Sequence, residues 1–193
     1  MKGPRCIQPR GQAGYSLPEM ITVVAIIGVL ALVTIPSFMT YYQSSKVKAS
    51  MRNLTTDLRK MRALAITRGV QTRLSYATGG SARKYKLYYG SSGSPTATQT
   101  WKLLSVGNMG ADTKTLDSIV NFPANSVTTP QTFTDVDGDG QIDVIFLPSG
   151  GVSIPTANPA LQFGSITIKT PLNKVSVQQY QIDISPVGRV LAH

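Results

Sequence analysis

Four aspartates crowd into Asp135-Val-Asp137-Gly-Asp139-Gly-Gln-Ile-Asp143, in a chain that holds only nine acidic residues. Hard cations such as Ca²⁺ need several oxygens at once, and carboxylates on alternate residues of a glycine-bent loop can converge on one ion. The spacing follows an EF-hand loop through its ninth position. At the twelfth, where that loop supplies a bidentate carboxylate, stands Phe146. Two readings stay open: a structural calcium site at Asp135, Asp137, Asp139 and Asp143 that draws a ligand from elsewhere, and an acidic Gly-Asp turn joining two strands.

Glu19 is the second residue with chemistry in it. It opens an uncharged run from Met20 to Met39, and a carboxylate at such a place is costly in lipid and functional by default. Helix electrostatics offers a plainer account, because acids are favoured near a helix N-terminus; Pro18 suits a first helical turn equally well. A third group is cationic: Arg83, Lys84 and Lys86 with Tyr85, Tyr88 and Tyr89 could contact phosphates and stack on bases. The same pattern is what an amphipathic hairpin strand shows on its exposed face. No catalytic constellation is present. His193 is the sole histidine and the last residue, Cys6 is the sole cysteine, and no phosphate-binding glycine loop occurs. Internal disulfides and thiolate metal clusters are thereby excluded, and an enzyme is not expected.

These residues need elements to hold them. The chain has 193 residues, 41% hydrophobic and 15% charged, with a net charge of +10. Lys2, Arg5 and Arg10 precede Tyr15, so a chain starting there would still carry an excess of seven. Residues 20–39 are long enough to cross a bilayer core of about 30 Å, and the cations before them place the N-terminus in the cytoplasm. Beyond Pro36, Val47, Met51, Leu54, Leu58, Met61 and Ala65 recur at steps of four and three. This is an apolar helical stripe, which Gly69 closes. One helix of roughly 50 residues is expected, about 75 Å long at 1.5 Å per residue.

From Val70 the period becomes two. Strands are expected over 70–76 and 84–89, with Gly79-Gly80 between them. Further strands are expected at 101–106, 118–122, 143–147, 161–169, 174–185 and 189–192. Stretches 90–100, 107–115 and 148–160 read as surface loops.

Gly14-Tyr15-Ser-Leu-Pro-Glu19-Met-Ile-Thr-Val-Val-Ala-Ile-Ile-Gly28 resembles the class III signal of type IV prepilins and type II secretion pseudopilins. The family more often has Phe where Tyr15 stands and Ile or Val where Pro18 stands. The resemblance implies that residues 1–14 are a leader, cut between Gly14 and Tyr15 by a prepilin peptidase that then N-methylates Tyr15. It implies that Glu19 meets the N-terminal amine of a neighbouring subunit, which would offset the cost of burying a carboxylate. Gly28 and Pro36 match the places where pilin helices loosen on assembly.

The implied fold is α+β: one long N-terminal helix, transmembrane in its first half, packed on a C-terminal antiparallel β-sheet. Its divisions are a leader at 1–14, a membrane and assembly helix at 15–38, an amphipathic continuation at 39–69 and a β-rich periplasmic head at 70–193. The implied location is the inner membrane, single-pass with a cytoplasmic N-terminus, and then a pilus or pseudopilus.

Three stretches resemble the GspH/FimT-type minor pilins in particular: Leu54–Val70, Phe146–Val152 and Ile182–Val190. The implied function is a minor pilin or pseudopilin, a structural subunit that initiates, caps or adapts a type IV pilus or type II secretion pseudopilus. Its partners would be other pilin subunits, the peptidase and the membrane. The alternative is a pilus-tip DNA receptor, because some FimT-like proteins bind DNA through Gly-Arg-x-Arg near the C-terminus. Here Gly188 and Arg189 are kept, while Leu191 replaces the second arginine.

Overall fold

The computed structural model describes residues 14–79, 82–94, 99–104, 113–124, 126, 132–153, 163–170 and 178–193, without the side chains of 33, 36 and 37. Of the leader expected at 1–14, residues 1–13 lie outside this set. Helix α1 spans Leu17–Arg68. Ser16 starts it, its carbonyl accepting from the amides of Glu19 and Met20 at 3.1 and 3.2 Å, and Gly69 ends it at φ 64°, the left-handed conformation that suits a helix C-terminus. The helical backbone runs through Gly28 and Pro36 without interruption.

Two compact units divide the chain, residues 1–39 and 40–193. In the first, α1 presents Met20, Ile21, Val23, Val24, Ile26, Ile27, Val29 and Leu30 to the exterior, all more than 45% exposed. Successive residues point about 100° apart on a helix, so this apolar surface runs right round it. Among the described residues, no helix is long and apolar enough to cross a membrane. The span expected there from sequence is therefore not confirmed.

The second unit contains the core. Strands β1 (Thr72–Tyr76), β2 (Lys84–Tyr89), β3 (Lys102–Leu103), β4 (Lys114–Thr115), β5 (Ile142–Phe146) and β6 (Val152–Ser153) form one antiparallel sheet in the order β3-β2-β1-β5-β6, with β4 also on β2. Strands β7 (Gly164–Lys169), β8 (Gln179–Ile184) and β9 (Val190–Ala192) form a second. Register fixes the faces. Leu74 lies between Leu87 and Val144, and with Thr72 and Tyr76 it points to the core, where all three are fully buried. The stripe of Val47, Leu54, Leu58, Met61 and Ala65 is fully buried in the same cluster, and Thr72 donates to the Met61 carbonyl at 2.9 Å. Ile166, Ile168, Ile182, Ile184 and Val190 join the cluster from the second sheet.

Some strand boundaries differ from those expected. Residues 118–122 form no strand: Ile119 donates its amide to the Asp117 carboxylate at 3.2 Å and Val120 to the Asp117 carbonyl at 2.9 Å, a local turn that competes with the ladder. Only Asn121 bridges, to Lys169. Conversely β4 and β6 lie inside stretches expected to be loops. Each has two residues, too few for alternation to register.

Candidate functional site

The acidic loop folds over the outer face of the first sheet. Asp135 organises it, accepting from the amides of Gly138 and Gly140, both at 2.7 Å. Both glycines have φ near +80°, which a side chain rarely allows. The Gly140 amide, joined by that of Gly138, holds the Asp135 carboxyl below the ordinary carboxylate range. Asp135, Asp137 and Asp143 bring their oxygens within 4.8 Å of one another. Asp139 is not of that group: it turns to the amide and side chain of Gln141, both at 2.8 Å.

A cation already enters this cluster. Arg73, on β1 opposite the core, donates to Asp137 and, at 3.3 Å, to Asp143. Its guanidinium lies 4.8 Å from the Tyr88 ring centroid and 5.0 Å from that of Trp101, so two aromatic faces and two carboxylates enclose it. Burial pushes the Asp143 carboxyl up, and the Arg73 charge opposes the shift. The oxygen donors suit calcium, and Arg73 already brings one positive charge to two of the three carboxylates. Nothing local in the sequence marked this arginine, because its partners lie 64 and 70 residues away.

Of the basic and tyrosine group expected to face solvent or nucleic acid, two tyrosines serve the fold. Tyr85 is buried and donates to Asp57 at 2.7 Å, while Tyr88 stacks on Arg73. Asp57, on the helix stripe's flank, is itself buried and accepts from Lys114 at 2.6 and 2.7 Å.

Gly188 and Arg189 sit at the β8–β9 turn, against α1. Gly188 has φ +76°, and a Cβ there would collide with the Gly150 carbonyl and lie 2.7 Å from Arg62 Nε. Arg62 itself donates to the carbonyls of Gly150 at 2.9 Å and Val187 at 3.0 Å. A cleft of about 430 Å³ opens beside this knot, lined by Arg59, Arg62 and Arg189 among others. Sequence reasoning had singled out Arg189 alone. The spacing of Arg59 and Arg62 puts both on one helix face, but only the fold brings Arg189 to them.

At the other end of the chain, Gly14 and Tyr15 are exposed and precede the helix, and Glu19 is exposed in its first turn. The peptide bond between Gly14 and Tyr15 is thus outside regular structure.

The family model for type II transport protein GspH matches residues 50–188, well over half of the chain. Two solved structures of the minor pseudopilin EpsH from the type 2 secretion system of Vibrio cholerae are similar. One is 15% identical with a TM-score of 0.47, covering 76% of this chain and 94% of its own. The other is 13% identical with a TM-score of 0.46, covering 77% and 96%. No curated protein sequence matches the chain.

Proposed function

The chain belongs to the GspH family of type II transport proteins, and on that premise we propose that it is a minor pseudopilin: a membrane-anchored structural subunit of a type II secretion pseudopilus. The observation that carries this reading is the first part of α1, whose apolar side chains are exposed on every side. A helix apolar all round is stable only when something apolar covers it. Lipid does so before assembly, and the helices of neighbouring subunits do so in the filament. The head at 40–193 holds the buried core.

The signal before the helix supports the same reading. Cleavage between Gly14 and Tyr15 would free an amine four residues ahead of Glu19, and Glu19 is already placed in the first helical turn. The mature protein is expected to have a mass lower by residues 1–14 and an N-methylated Tyr15, read by intact mass and N-terminal peptide analysis.

Cell fractionation tests the anchor. The native chain should sediment with membranes, and Val24→Arg with Ile27→Arg should move it to the soluble fraction. Each arginine costs about 2.5–3.5 kcal/mol at a helix centre, so the pair costs about 5–7 kcal/mol. A native chain found in the soluble fraction would sink the reading.

A further inference from the structure

We propose that the cleft between α1 and the β8–β9 turn receives an acidic, partly apolar segment of a neighbouring subunit. Its polar lining is cationic throughout: Arg59, Arg62 and Arg189 contribute, and no carboxylate does. Three other head cations do meet acids, Lys46 with Asp117, Arg73 with Asp137 and Asp143, and Lys114 with Asp57. Among the described residues, no acid lies within ion-pair distance of these three arginines. Arg59 and Arg62, three apart on one helix, repel each other, and a bound carboxylate relieves that repulsion.

One of the three arginines is preorganised. Arg62 is fixed by the Gly150 and Val187 carbonyls, so part of its side-chain entropy is already lost before anything binds. Guanidinium forks match carboxylates in a bidentate geometry. The remaining walls, Ala63, Ile66, Val190 and Leu191, are apolar, which suits a carboxylate with an aliphatic neighbour. Size favours a side chain over a nucleic acid: about 430 Å³ holds a few side chains, and three cations fall short of the roughly 6–10 phosphate contacts typical of a DNA-binding surface.

The inference rests on the pseudopilin reading for the identity of the neighbour, and its test is independent of membrane anchoring. The full chain in detergent micelles is titrated with a rhodamine-labelled pentapeptide, Gly-Glu-Leu-Glu-Gly, and with its Gln-Leu-Gln counterpart, by fluorescence anisotropy. The acidic peptide should bind saturably and the glutamine version at least tenfold more weakly. Arg59→Gln and Arg189→Gln should each weaken acidic-peptide binding about tenfold without moving the melting temperature. Equal binding of the two peptides, or unchanged binding by both variants, would overturn the proposal. So would a 20-base-pair duplex that binds more tightly at physiological salt and is lost on the same substitutions, which would give the cleft to nucleic acid. Failure of the fractionation test would leave this measurement standing, and failure here would leave the anchor standing.

Discussion

The buried charges Asp57, Arg73 and Asp143 each have a charged partner, and that is where single substitutions should tell most. Asp57 is buried between the Tyr85 hydroxyl and the Lys114 ammonium. Asp57→Ala strands a buried tyrosine hydroxyl and frees an ammonium that is partly in solvent, so the cost should be about 2–3 kcal/mol, below that of a fully buried pair. Thermal unfolding should show a melting temperature roughly 5–10 °C lower. A change under 2 °C would mean the group is not coupled to the fold. Asp135 gives a pH-dependent case. Its folded pKa is lowered, so its contribution is present above the unfolded value near pH 4 and is lost as pH falls through the lower folded value. Asp135→Asn should therefore lower stability at pH 7, and the gap to the native chain should narrow in acid below pH 4. A gap that stayed constant with pH would show that the carboxylate charge is not what holds the Gly138 and Gly140 amides.

At the scale of elements, two places show what holds a loop or turn against its neighbours. Arg73 fastens the acidic loop to β1 between Tyr88 and Trp101, so part of the loop's counter-charge comes from within the chain. A chelator should accordingly leave the melting temperature of the native protein in place, whereas Arg73→Ala should lower it and make the loop sensitive to added calcium. A chelator-dependent fall in the native protein would instead assign the counter-charge to an ion. Gly188 lets the β8–β9 turn close on Gly150 and Arg62. Gly188→Ala meets both a left-handed backbone and a steric clash, together about 2–4 kcal/mol, measurable by denaturant unfolding. The helix stripe and the hairpin of β1 and β2 were legible in sequence because both follow long, uniform periods from Val47 to Tyr89. The strands β4 and β6 were not, being two residues each, and neither was the turn at Asp117, where a side chain outcompetes the ladder. The site residues divide in the same way. Asp135, Asp137 and Asp143 are neighbours in sequence and could be read together, whereas Arg73 and the meeting of Arg59 with Arg189 depend on contacts more than sixty residues apart.

For the whole molecule, the two units differ in what stabilises them. Among the described residues, every member of the buried core cluster lies at or beyond Val47, inside the second unit. The described residues of the first unit, in turn, present apolar surface all round and contribute none to the buried core. Folding and anchoring should therefore be separable. A chain starting at Thr40 should unfold cooperatively within about 3 °C of the full chain in detergent, since the hydrophobic burial that sets stability is retained. It should be recovered in the soluble fraction, because the surface that needs lipid or a neighbour is gone. Loss of the cooperative transition in the shorter chain would mean that the first part of α1 supplies folding energy to the head, and the division into an anchor and an autonomous domain would have to be abandoned.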